Sequence, residues 1–489
     1  MYPSQDFQSS YGSYLIGSSP TDDPFYRDTD VAAMSDGWRV MEAVTNGSDW
    51  IRLNAAVYLP QEPREDEDAW KSRVRRSVLS PFTVRILENA AGLVLRRPVK
   101  VIGDEYWQEF ARNVDGLGSS INEYARRAMI SALTYGHSAI LVDYPKDPGA
   151  LTLAEERALS RRPYFNHIDA PQIWGWRQES VLPNAPLSQV RIHQIITRPA
   201  GKFGEDKIEQ MTVIYPGRYE TYERNSGTPE QNVISSGTLS VEEIPLVPIY
   251  ASREGMLLSK PPLQDIASLN ITHYQRQADL IHALHIAAMP TLVLEGWDEE
   301  ASSASMGPNY GISMEPGHKA YYIQSDASSF SSQSEEIQQL EQQMATLGVT
   351  KLLGQKFVAE SADAKRIDQS QANSVLAILS LEMESALNEA FALAAAYLGV
   401  EPPRIELDRE FDFYRLIGQD VAVLNDINAR GGLSDETFLR VLQRGEVLPD
   451  NLDVDQEISA IERLRQTRDV EPAPSAELSG TDPIPGNRD

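Results

Sequence analysis

Hydrophobic and polar positions divide the chain into stretches of different period. Between Trp70 and Leu95 apolar residues recur at helical spacing (Val74, Val78, Phe82, Ile86, Ala90, Leu93), which predicts a helix that Pro81 interrupts. Pro98 leads into a short strand-like run. Ser120 and Glu123 stand three apart, the spacing of a capping box, and open a helix reaching about Tyr135. Gly136 stops it, and His137 to Val142 (HSAILV) reads as a buried strand. A further helix is predicted near 151–161. From 163 to 250, short β-prone runs alternate with Pro-Gly and Asn-Ser-Gly turns, the pattern of a mostly antiparallel sheet.

The second half has longer periods. Leu263, Ile266, Ile271, Tyr274, Ala278, Ile281, Leu284 and Ala288 mark a long helix over 262–288 that ends before Pro290. Residues 291–325 alternate strand-like runs with Gly, Pro and Ser turns. Ser332 and Glu335 repeat the capping-box spacing ahead of a stripe of Ile337, Leu340, Met344 and Leu347. After an irregular stretch at 348–364, an Ala- and Leu-rich helix is predicted over Lys365–Leu398, then a strand over Arg404–Phe413. Residues 417–468 read as a small helical unit with Gly431 and Gly432 between helices. Both ends lack a period. Residues 1–30, rich in Ser, Tyr, Gly and Asp, predict an arm ordered only by neighbours, and the Pro-rich tail from Glu471 predicts disorder. A helix, a small β excursion and a returning helix make a stalk with a tip on a mixed α/β body, so the fold class is α+β.

Composition adds bounds. A chain of 489 residues with 41% hydrophobic and 24% charged positions is long enough for several packed units. Cysteine is absent, which leaves no disulfide framework, thiolate metal site or thiol nucleophile. No apolar run approaches the roughly 20 residues that cross a bilayer, and the first residues lack the basic start and apolar centre of a signal peptide. The expectation is a protein made and used in cytosol-like conditions, without a membrane partner. Against 44 basic residues stand 71 acidic ones, a formal charge of −27. Gripping nucleic acid through its phosphates needs the opposite balance. Two readings stay open: charge for solubility, or an acidic surface along which DNA slides without sticking.

Motif tests remove the familiar enzymes. Ile140-Leu-Val-Asp143 has the form of a Walker B strand, but no G-x-x-x-x-G-K-[ST] phosphate cradle occurs, and Gly201-Lys202 lacks its companions. Asp143 is expected to cap the turn at Tyr144 and Pro145. Gly116 and Gly118 begin a dinucleotide fingerprint whose third glycine position is Ile121, so they are expected to form a turn before Ser120. His282 and His285 could share a helix face, while His273 lies nine residues earlier, on the opposite side. No H-E-x-x-H or carboxylate ladder completes a metal site, and helix–helix contacts are the expected role of the helical histidines. Acidic runs such as Glu65–Asp68, Glu299-Glu300 and Glu335-Glu336 single out no acid–base pair, and G-x-S-x-G is absent. No cofactor, metal or catalytic residue is expected.

The stretch Pro261–Trp297 resembles a phage protein family whose members read as portal or minor capsid proteins, first catalogued as a domain of unknown function. The resemblance rests on the Pro-Pro-Leu start, Leu269-Asn270, His273-Tyr274, His282, His285 and the Pro290–Gly296 exit. Further segments agree in order and spacing: Tyr58-Leu59-Pro60, Tyr135-Gly136 with Ile140–Pro145, Arg162-Pro163-Tyr164 with Trp174 and Arg177, and Gly432-Leu-Ser434 with Glu436-Thr437. Together they span most of 55–445.

The resemblance implies a portal-protein fold. It assigns 1–30 to an N-terminal arm, 31–260 to the main part of a wing and 261–288 to a first stem helix. It assigns 289–331 to a β clip, 332–349 to a second stem helix and 350–366 to a tunnel loop. The remainder is 367–416, the long wing helix and returning strand, then a helical crown over 417–468 and a disordered tail over 469–489. It implies a homo-oligomeric ring, typically of twelve subunits, at one capsid vertex of the virion, made in the host cytoplasm. Double-stranded DNA would pass through without sequence specificity. The partners implied are the terminase large subunit, major capsid protein, scaffold and head–tail adaptor. Lys351, Gln355, Lys356, Lys365 and Arg366 would face DNA in the channel, and Trp297, Tyr310, His318 and Lys319 would meet clip partners. Another minor head or neck component, or an enzyme of unrecognised type with a deep polar pocket, remains the alternative.

Overall fold

A computed structural model describes residues 22–145, 162–180, 182, 185–225, 232–288, 291–295, 319–323, 328–348, 362–408, 418–445, 447–449 and 452–470. The predicted helix near 151–161 and the tail from Glu471 lie outside them. The chain divides into two compact units, Met1–Phe411 and Asp412–Asp489.

The first unit opens with α1 (Thr29–Thr45) and the short α2 (Gly47–Leu53) and α3 (Ala55–Tyr58). Two separate helices, α4 (Glu67–Arg76) and α5 (Phe82–Val94), occupy the stretch read as one interrupted helix. The break spans Ser77–Pro81, because Pro81 cannot donate a backbone hydrogen bond and restricts the residue before it. β1 (Lys100–Ile102), α6 (Glu105–Phe110) and α7 (Ile121–Tyr135) follow. The Ser120–Glu123 capping box forms at both of its hydrogen bonds. Gly136 ends α7 at φ +92°, where a Cβ would also press on Ser259 and Lys260, so this turn requires glycine.

β2 (His137–Asp143) is buried along nearly its whole length because it is the centre of an antiparallel sheet. Its neighbours are β3 (Tyr164–Asp169) and β9 (Leu246–Tyr250), with Ile140 opposite His167 and Val247. Between those two the chain makes a separate five-stranded antiparallel meander: β4 (Ile173–Gln178), β5 (Leu187–Ala200), β6 (Gly204–Tyr215), β7 (Arg218–Asn225) and β8 (Asn232–Thr238). The single sheet expected over 163–250 is therefore two sheets, with its first and last strands claimed by β2. Residues 22–28 also differ from the expected arm. Phe25 is buried against Met211 and Val213 of the meander, and Arg191 holds both the Tyr26 carbonyl and the Asp28 carboxylate at 2.5 Å. This stretch is ordered by its own chain.

After the short pair β10 (Arg253–Gly255) and β11 (Leu258–Ser259) come α8 (Gln264–Ala287), β12 (Thr291–Glu295), β13 (Lys319–Ile323), α9 (Ser328–Gly348) and α10 (Ala362–Leu398). α9 begins four residues before Ser332, which lies inside the helix rather than capping it. β14 (Arg404–Glu406) pairs with β1, Ile405 opposite Val101, and is shorter than the strand expected over 404–413; residues 409–417 lie outside those described. Asn388 of α10 locks β14 by exchanging two 2.9 Å hydrogen bonds with Ile405. The principal core lies between α5, α7, α8, α10 and the β2 sheet. Phe391 of α10 meets Trp107, Phe110 and Phe165 edge-on at 5.2–5.6 Å, contacts worth about 1 kcal/mol each beyond the area they bury.

The second unit contains α11 (Gly418–Ala429), α12 (Asp435–Arg444) and α13 (Val454–Val470). Gly431, at φ +76°, turns the chain, and the Ser434 hydroxyl accepts the Thr437 amide to start α12. Leu439, Leu442 and Val454 are buried within it. The sheets are antiparallel and most strands fall in the run β2–β11 between helical stretches, the arrangement of an α+β protein.

Candidate functional site

α8 and α9 form an antiparallel helical hairpin. His273 Nε2 lies 3.1 Å from Glu341 Oε1, and Arg276 Nε lies 3.3 Å from Glu336 Oε1. Moving up one helix thus moves down the other. At about 1.5 Å per residue the 24 residues of α8 span roughly 36 Å. Between the two helices in sequence, β12 and β13 pair in continuous register from Thr291↔Ile323 to Glu295↔Lys319. The Tyr321 hydroxyl adds a 2.9 Å hydrogen bond to Glu295.

The root of α8 is fixed by polar contacts as well as packing. Asn270 is fully buried, accepts the Thr83 amide and hydroxyl on its Oδ1, and donates to the Ser80 carbonyl at 3.0 Å. It thereby satisfies an amide in the first turn of α5, a helix with no side-chain cap of its own. The Tyr274 and Ser77 hydroxyls lie 2.7 Å apart, and the Gln275 amide donates to the Tyr58 carbonyl. Arg73 is 4% exposed and grips Glu65 with two nitrogens at 2.8 and 2.7 Å, while a third reaches Asp279 at 2.9 Å. That fork holds the Glu65 carboxyl below its usual range. Arg76 donates to His282 Nδ1 at 2.8 Å; burial, with the Arg76 charge behind it, pushes that imidazole below its ordinary value. His273 is buried against the edge of Phe82. His282 and His273 both serve contacts between helices, whereas His285 is exposed. Beyond Ala278 no residue of α8 is buried.

The residues expected to act divide unevenly. Lys351, Gln355 and Lys356 lie outside the described residues, as do Trp297, Tyr310 and His318. Lys365 and Arg366 stand near the start of α10. Lys319 is exposed on β13, opposite Glu295. No common site made of these residues is therefore on view. Asp143 does cap its turn, accepting the Tyr144 amide and the Tyr164 hydroxyl at 2.8 Å. Gly116 and Gly118 both adopt positive φ in the turn before Ser120. Among the described residues no group of three His, Cys, Asp or Glu is placed to hold a metal ion, and no helix is long and apolar enough to cross a membrane.

Three features escape sequence reasoning. Arg73 is one of several arginines in α4, and nothing local distinguishes the buried one. Phe203 is signalled only as a lone aromatic in the polar run Gly201–Lys207. A cleft of about 870 Å³ is walled by Glu179, Leu187, Glu242, Glu243, Met256 and Glu389, among others, from segments far apart in the chain. Burial, and then the neighbouring Glu243, push the Glu389 carboxyl above its usual range.

Comparison with known proteins places a family described as a domain of unknown function (DUF4055) over residues 262–398, which takes in the hairpin and the whole of α10. No curated protein matches the chain. Among solved structures, one described as the virion of a native gene transfer agent particle has 14% identity and a TM-score of 0.39, covering 77% of this chain and 93% of that one. The neck of the native particle, computed with C12 symmetry, gives 13% and 0.39 over 78% and 94%. The neck of the empty particle, computed with C6 symmetry, gives 15% and 0.39 over 77% and 93%.

Proposed function

We propose that the chain is one subunit of a portal ring in a tailed-phage virion, a conduit for DNA and an assembly platform that catalyses nothing itself. The observation that supports this most is the α8–α9 hairpin, two long antiparallel helices with a paired-strand segment between them. Asn270, His273, Tyr274 and His282, which underlie the family resemblance, are the residues that anchor the hairpin at its root or join its helices. In this reading the hairpin is the stem, and β12 and β13 belong to the clip that meets terminase during packaging and the head–tail adaptor afterwards. The ring sits at one capsid vertex, with major capsid protein and scaffold around it.

A formal charge of −27 suits a wall that repels phosphates and lets DNA slide. Sparse cations, Lys351, Lys356, Lys365 and Arg366, with Gln355 among them, touch phosphates in passing at the constriction. The terminase supplies the work of ATP hydrolysis. The test is electron microscopy of heads assembled with a tagged chain. Density at a single vertex per head is expected, and label at every vertex or none contradicts the reading. Replacing both Lys351 and Lys356 by Ala is expected to change DNA packaging or retention while rings still assemble. Unchanged packaged DNA and phage yield would remove these lysines from the channel role.

A further inference from the structure

The two ends of one strand pair present opposite chemistry. β5 and β6 pair continuously from Val190↔Ile214 to Ala200↔Gly204. β4 accompanies β5 only as far as Ile192, and β7 accompanies β6 only over Ile208–Tyr215. Among the described residues the hairpin therefore runs on without lateral strands to its turn. There Phe203 is 89% exposed, with the Lys202 ammonium 5.3 Å from its ring centre, and Ile195 on the flank is 63% exposed. Lys202 is the only charged residue of the turn Ala200–Gly204. At the opposite end, Leu187 of β5 and Pro216 beyond β6 wall the cleft of about 870 Å³. Ile244 and Met256 supply further apolar lining, and Glu242, Glu243 and Glu389 supply carboxylates. β5 has 14 residues, so at about 3.3 Å per residue knob and hole lie on the order of 40 Å apart.

We propose that the Lys202–Phe203 tip of one copy seats in this cleft on a second copy of the chain. Phe203 lies against Leu187, Ile244 and Met256, and the Lys202 ammonium meets Glu242, Glu243 and Glu389. The cleft favours a cation: Glu242, Glu243 and Glu389 line it together, and an ammonium placed among them offsets their mutual repulsion. A benzyl side chain left in water at a protruding turn gains by entering an apolar wall, and Lys202 is the charge beside it, with the exposed Glu205 and Asp206 lying beyond the turn on β6. Because the two patches are different surfaces at opposite ends of the strands, the contact is head-to-tail. Repeated contacts of that kind close into a ring when the rotation between copies closes. The proposal rests on the ring reading above and names the contact that would build the ring.

The full chain contains no cysteine, so introduced thiols report only on one another. In the double variant Phe203→Cys with Glu243→Cys the two positions in one chain are far beyond the roughly 6 Å between Cα atoms that a disulfide spans. Oxidation of the assembled double variant is expected to give a non-reducing ladder running from dimers up to the whole ring, while each single variant stops at or below dimer. Assembled rings of the double variant without species beyond dimer overturn the proposal and leave the ring reading standing. A wild-type chain that stays monomeric removes the ring reading itself. Both positions are exposed, so loss of folding is not expected. Lys202→Glu should raise the concentration needed for assembly about tenfold, and adding Glu243→Lys to the same chain should recover it. An unchanged assembly concentration for Lys202→Glu also overturns the contact.

Discussion

The far half of α8 is the more apolar in sequence and yet the less buried. Up to Ala278 the helix buries Ile266, Ala267, Asn270, His273, Tyr274 and Ala278 within its own chain. Beyond Ala278 none is buried, and Leu284 and Ile286 are 46% and 55% exposed. The root is a packed interior in which Asn270, Tyr274 and Arg73 all have polar partners. The far half is apolar surface that the described residues leave partly exposed, as expected of a segment covered on assembly in the proposed ring. Stability should therefore reside in the root, and association in the far half.

Substitutions can break that division. Arg73→Ala should have the largest effect, lowering unfolding free energy by about 3 kcal/mol, because Glu65 is left nearly buried with its charge uncompensated. The shift in denaturant midpoint of the larger unit checks it. Asn270→Ala should cost about 2 kcal/mol by orphaning the Thr83 amide and the Ser80 carbonyl, read from the same transition. A wild-type midpoint for either variant would mean that the root is not held by these groups.

A smaller effect is expected with pH. Arg73 lowers the Glu65 carboxyl in the folded chain relative to the unfolded one. The stabilisation is therefore present above the ordinary glutamate value of about 4.3 and is lost as pH falls through the folded value. The advantage of wild type over Glu65→Gln should shrink progressively as the medium is acidified below about pH 5. An undiminished advantage at the acid end would show that the Arg73 charge is not its source. Smallest of all should be the effect of Leu284→Ser with Ile286→Ser on the isolated chain, within about 0.5 kcal/mol. Those two changes should instead weaken assembly in a concentration series. A large loss of monomer stability would erase the contrast between the halves.

Local signals were legible in the sequence. The Ser120–Glu123 cap, the Gly136 stop and the buried run His137–Val142 depend on neighbours a few residues away, and all three stand in the structure. The hairpin helices were legible from their period. Errors fell where distant partners decide. β3 and β9 look like ordinary members of a meander until β2 claims both, and β14 is short because its partner β1 has only three residues. Ser332 followed the capping pattern, yet α9 extends back to Ser328 through residues that do not forbid a helix. The site was harder still. His282 could be read as a contact between helices, but its partner Arg76 could not be identified, and the cleft draws on segments from Glu179 to Ala396. A lysine facing DNA has the same local pattern as one facing water, so channel residues follow only from the family resemblance.

The mass of the purified particle tells whether the chain closes into the proposed ring. Under assembly conditions a single closed species of about a dozen copies is expected. A stable monomer or dimer at every concentration and salt condition that supports head assembly would contradict it.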